Sequence, residues 1–178
     1  LNKIQNGTHF QQKDKTMDNR EKTINDLEAH RLIVRELSLA IATELFERAH
    51  TDDKSKYETI EFEAFNKYSD ELSKSVFGSK EYNEAKQKLG KALEHHYKNN
   101  RHHPEHFENQ INDMNLVDII EMFLDWIASS VRSKKGNINE SIEVGKKKYN
   151  IGDQLINIFV NTLEIKSVKR IYNEIQSE

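Results

Sequence analysis

One proline, Pro104, and six glycines are all that 178 residues offer for tight turns. An all-β sandwich of this length turns many times, and its turns draw on Gly and Pro. A glycine-rich phosphate loop is also missing. Gly145 precedes Lys146-Lys147-Lys148, but not at the spacing of a phosphate-cradling loop. The residue supply therefore points to an all-α protein.

Apolar periodicity agrees. From Thr23 to Ala49, Ile24, Leu27, Leu32, Val34, Leu37, Ile41, Leu45 and Phe46 recur at helical spacing. A second helix is expected over Thr59 to Phe77, with Phe62, Phe65 and Tyr68 on its apolar face and Gly78 as its stop. A third covers Lys80 to Asn99. Asn100 to Met114 reads as a loop, because Pro104 disfavours helix at His103. Asn115 to Arg132 carries the broadest apolar face: Leu116, Ile119, Ile120, Phe123, Leu124 and Ile127. Helices over Glu140 to Tyr149 and Asp153 to Ile175 complete a single bundle of five to six helices. The first twenty residues are polar and are expected to form an arm outside this 21–178 domain, with Met17 a candidate natural start.

Charge and composition exclude several function classes. Lys and Arg number 27 against 30 Asp and Glu, which argues against a duplex nucleic-acid partner. No cysteine is present, so disulfides, thiolate metal sites and cysteine nucleophiles are ruled out. No apolar run approaches the roughly 20 residues that span a bilayer. The expected setting is the cytoplasm, without a membrane partner. The stripe Ile156, Phe159, Val160, Leu163, Ile165 and Val168 closes the core, or its far end, flanked by Lys166, Lys169 and Arg170, packs in a homodimer.

The histidines carry the chemistry. Five of the eight lie between His95 and His106: His95, His96, His102, His103 and His106. Neighbouring helical residues point about 100° apart, so only one of His95 and His96 should face inward. Asp26 and His30 share a helix face, as do Glu121 and Asp125, each pair at i,i+4. Without thiolates, imidazole and carboxylate are the ligands of hard and borderline divalent metals, and a bundle can aim them inward from several helices. Singly, each has a plain structural explanation. Asp52-Asp53 could be a helix cap, and Glu121 and Asp125 could pair with Arg101 or Arg132. Together they suggest a shared ion.

The order His30, Asp53, His96, His102-His103, Asp125 resembles the HD-domain superfamily of all-helical, metal-dependent phosphohydrolases. The stretches Asn100-Arg101-His102-His103-Pro104-Glu105-His106-Phe107 and Glu121-Met122 with Asp125-Trp126 look more specifically like an uncharacterised family of small bacterial and phage proteins. The similarity covers Ile24 to Asn161. One position departs: where the superfamily has His-Asp, this chain has Asp52-Asp53, with Lys56 in its expected place. Either Asp52 is an oxygen ligand, or His50 reaches in, or one metal position is weakened.

The resemblance implies one or two divalent ions (Mn, Fe, Co, Ni, Zn or Mg) held by His30, Asp52, Asp53, His96, His102, His103 and Asp125. Asp53 would be central, with Asp26 and Glu121 supporting ligands from behind. It implies hydrolysis of a small phosphorylated substrate, a nucleotide or related ester, with Lys56 and Arg101 on the phosphate and His106 protonating the leaving group. Other members imply one alternative, a di-iron oxygenase; the departure at Asp52 raises another, a degenerate scaffold that binds a nucleotide or a protein partner.

Overall fold

The observed helices break at a positive-φ glycine as well as in the loop that contains the proline. The computed structural model describes residues 18–75, 78–132 and 136–176. These are 84% helical, with eight α-helices and no strand. The helices are α1 (Asn19–Thr51), α2 (Thr59–Lys74), α3 (Lys80–Leu89), α4 (Lys91–Asn99), α5 (Leu116–Arg132), α6 (Ile138–Tyr149), α7 (Asp153–Leu163) and α8 (Lys166–Gln176). The sequence pattern counts six because apolar periodicity runs through two of the breaks. Gly90 separates α3 from α4 at φ 46°, a backbone geometry that L side chains rarely adopt. At Glu164 the chain turns between α7 and α8, and its N–H is accepted by Asn161 O and Thr162 O. The expected end of the second helix at Phe77 lies outside the described residues, as does most of the expected N-terminal arm.

The chain divides into two compact units, residues 1–42 and 43–178. What is described of the first is the leading run of α1, laced by the i,i+3 pair Glu28–Arg31. The second begins with the last turns of α1 and contains everything that follows.

In the second unit α2 packs on α3 and α4, while α5 packs on α6 and α8, and α7 on both. The apolar core belongs to the latter group: Met122, Phe123, Ile138, Ile142, Ile151, Ile156 and Phe159. Phe123 stacks on Phe159 at 4.4 Å between centroids. Gly145 lets α6 approach the Trp126 ring; a Cβ built there would lie 2.2 Å from it. On α2 the outcome differs from the apolar pattern. Phe62 is 54% exposed, and the neighbouring Glu61 is fully buried. The loop between α4 and α5 contains 3-10 turns at Pro104–His106 and Gln110–Asp113. Asn115 and Asp118 then start α5 as a reciprocal cap: Asp118 N–H donates to Asn115 Oδ1 at 3.0 Å, and Asn115 N–H to Asp118 Oδ2 at 2.9 Å. No described helix is long and apolar enough to cross a membrane.

Candidate metal centre

Three short pieces of the second unit supply the donors. The first is the turn after α1. Asp53 adopts φ 55°, a left-handed conformation that Asp tolerates better than most residues. The Lys54–Tyr57 turn follows, closed by Lys56 N–H to Asp53 O at 2.9 Å. Lys56 Nζ pairs with Asp53 Oδ2, which leaves Oδ1 free and buried.

The second piece is the end of α4 and the residues after it. His96 is buried on α4, and Asn100 caps that helix. The Asn100 amide donates to His96 O at 2.8 Å and to Ser55 Oγ at 2.7 Å. It thereby ties the turn carrying Asp53 to the helix carrying His96. His102 and His103 follow directly, and Pro104 starts the next turn.

These pieces converge. Asp53, His96, His102 and His103 each offer one donor atom, all within 4.8 Å of one another. His96 Nε2 lies 2.8 Å from His103 Nε2 and 3.4 Å from Asp53 Oδ1. His102 Nε2 lies 3.9 Å from the same oxygen. Asp53 Oδ1 and His102 Nε2 are buried without a hydrogen-bond partner. Buried polar atoms are nearly always paired, and two unpaired ones facing each other are compatible with a shared cation. Three imidazoles and one carboxylate form a donor set that fits a borderline divalent ion.

The third piece is α5, which brings carboxylates. Asp52, His102 and Glu121 form a second group of donors, and Asp52, Asp53 and Asp125 a third. His102 Nδ1 lies 3.1 Å from Asp52 Oδ1 and 3.8 Å from Glu121 Oε1. Asp52 therefore lies against the outer nitrogen of His102.

Electrostatics follow from crowding. Burial pushes His96 down and His103 well below the ordinary imidazole range, so both are neutral donors at pH 7. Burial also acts on His102, but Glu121, Asp125, Asp52 and Asp53 outweigh it and hold its pKa up. Asp52 and Asp125 are raised, chiefly by burial and further by neighbouring acids. Glu121 is lowered: burial opposes, but His102 and Arg48 prevail.

Behind it stands an arginine pair. Asp118 is fully buried and accepts from Arg48 Nη1 at 2.6 Å and from Arg101 Nε and Nη2 at 3.1 and 3.0 Å. Arg48 also reaches Glu121 at 3.1 Å. Both arginines border a polar cavity lined by Asp52, Asn100, His102 and Glu121.

The candidate residues thus separate. Asp52, Asp53, His96, His102, His103, Glu121 and Asp125 come together in the donor groups. His30 and Asp26 belong to the first unit and to none of these groups. His50 is exposed, its Nδ1 2.9 Å from Phe46 O. His106 Nδ1 lies 3.0 Å from Tyr97 O, and the residue is in no donor group. Of the adjacent pair, His96 is the buried one and His95 is about a quarter exposed. Sequence reasoning missed Glu61, Asn100, Arg48 and Asp118. Two of them carried a signal: Asn100 opens the Asn100-Arg101-His102-His103 signature, and Glu61 sits four and seven residues before Phe65 and Tyr68, a charge on a helix's aromatic stripe.

A family model described as a family of unknown function (DUF5662) matches residues 19–165, and the chain belongs to that family. No curated protein and no solved structure matches it.

Proposed function

We propose that this member of the family is a metal-dependent phosphohydrolase acting on a small nucleotide or related phosphate ester. The observation that carries the reading is the pair of orphaned atoms, Asp53 Oδ1 and His102 Nε2, inside a ring of three imidazoles. When bound there, a divalent cation supplies Lewis acidity, acidifying water and neutralising phosphate charge.

The chain's own residues do the rest. Asp53 Oδ1 with His96, His102 and His103 would hold the ion, and Lys56 fixes the Asp53 carboxylate by occupying its other oxygen. Asp52, Asp53 and Asp125 would hold a second ion sharing Asp53. The nitrogen-rich set favours Mn, Fe, Co, Ni or Zn over Mg. Arg48 and Arg101, held by Asp118 at the rim of the polar cavity, supply the positive charge that a phosphate ester requires. A separate pocket is lined by Lys56, Tyr57, Phe62, Phe65 and Asn66; its aromatic and polar side chains suit a nucleobase.

The test is to purify the protein with Mn²⁺, Co²⁺ or Fe²⁺ and assay mono-, di- and cyclic nucleotides. Turnover that Asp53→Ala abolishes is expected. No turnover with any of these metals overturns the reading. Aerobic iron loading with a di-iron absorption band and no phosphate release would favour the oxygenase alternative, for which the same donor set is suited.

A further inference from the structure

Glu61, like Asp118, is a fully buried carboxylate with no place in the donor groups, but its partners are imidazoles rather than arginines. It sits on α2, in the turn facing α4, and both of its oxygens are engaged. Oε2 is 2.9 Å from His96 Nδ1, and Oε1 is 2.7 Å from His95 Nδ1. His95 Nε2 in turn lies 3.4 Å from Glu58 Oε2 near the surface. A bare carboxylate in this position would be costly to bury; two imidazole N–H groups make it tolerable.

We propose that Glu61 is a positioning residue that fixes His96 in its Nδ1–H tautomer and aims its Nε2 lone pair at the metal. The inference rests on the metal reading above and adds a residue to it. A carboxylate can only accept, so the proton must reside on His96 Nδ1. The Asn100 amide also lies 3.1 Å from that nitrogen, but its two hydrogens are already directed to His96 O and Ser55 Oγ. Nε2 is left without a proton, 2.8 Å from His103 Nε2 and 3.4 Å from Asp53 Oδ1. Carboxylate partners of this kind orient ligand histidines and raise their basicity. His95 completes the clamp by filling the second oxygen, which explains why two consecutive histidines at the end of α4 both serve the site although one is no donor to it.

Two measurements on the full chain test the clamp. Long-range ¹H–¹⁵N NMR of the metal-free protein reads the tautomer. His96 should be protonated at Nδ1, and Glu61→Gln, whose amide has only one accepting atom, should shift it towards Nε2–H. Co²⁺ titration reads affinity and ligand field. Glu61→Gln should bind about 10–100-fold more weakly, with a changed d–d spectrum, and Glu61→Asp should recover part of both. Glu61→Asp also carries the comparison should Glu61→Gln fail to fold. An Nε2–H tautomer in wild type, or equal Co²⁺ affinity and spectrum in wild type and Glu61→Gln, overturns the proposal. Wild type with the Nδ1–H tautomer but no Co²⁺ uptake supports the clamp and removes the metal-dependent function instead.

Discussion

Replacing Asp118 by alanine should loosen the whole rim of the site, and the cost can be worked from its contacts. The carboxylate is fully buried and accepts four hydrogen bonds: one from Arg48, two from Arg101 and one from the Asn115 backbone. Breaking a buried ion pair costs about 3–5 kcal/mol when the remaining charge is stranded. Stranding is incomplete here. The Arg101 side chain is 46% exposed and rehydrates, while Arg48 keeps Glu44 and Glu121. That points to the low end, and losing the α5 cap adds about 1 kcal/mol. About 4 kcal/mol is therefore expected at pH 7. Urea unfolding followed by the single tryptophan, Trp126, should show a lower midpoint with unchanged slope. The sign of the pH dependence is fixed. Although burial opposes it, Arg101 and Arg48 hold the folded Asp118 pKa below the usual carboxylate range. Its stabilisation is thus present above about pH 4, near the unfolded pKa, and lost as pH falls through the folded value. The gap between wild type and Asp118→Ala should narrow in acid. A difference below about 1 kcal/mol at pH 7 would refute the argument that this carboxylate holds both arginines, as would a gap that does not narrow.

Three further outcomes follow from other parts of the molecule. Mn²⁺ or Co²⁺ at a hundred times its Kd should stabilise wild type by about 2.7 kcal/mol, a rise of about 5–10 °C in Tm; Asp53→Ala should abolish the shift in a thermal melt. Gly145→Ala drives a Cβ into the Trp126 ring, 2.2 Å from its nearest atom; a loss of about 1–3 kcal/mol is expected, with altered Trp126 emission. Burial, helped by Lys148, pulls Lys86 down to about 8. Folded Lys86 releases its proton before the unfolded chain does, so stability should rise with pH from about 8 towards about 10.4. Lys86→Met should flatten that rise in urea midpoints measured across this range.

Fold class was legible in the sequence because its physical cause is local. Few glycines and one proline forbid a turn-rich architecture, and 3.6-residue periodicity can be read from one strand of text. The breaks at Gly90 and Glu164 were not legible in the same way, because apolar spacing continues on both sides of each. Phe62 and Glu61 show the limit most clearly. Phe62 was expected on the apolar face, but Glu61 is the buried neighbour, and its partners stand 34 and 35 residues away on α4. A buried charge is stable only with such partners, and helical spacing does not name them.

The site divides along the same line. Residue type, together with the resemblance in residue order, marked Asp53, His96, His102, His103, Asp125 and Glu121, but it marked His30, Asp26 and His106 as well, which are in no donor group. The turn at Asp53, the amide of Asn100 and the arginines on Asp118 were decided only by folding. Distances between donor atoms are a property of three dimensions: a left-handed turn and one buried amide bring Asp53 to 3.4 Å from His96 across 43 positions of sequence. Tertiary structure likewise decided that Asp52 lies against His102, and that His50 and His106 bond to backbone carbonyls. Side-chain chemistry is written residue by residue, whereas proximity is created by packing.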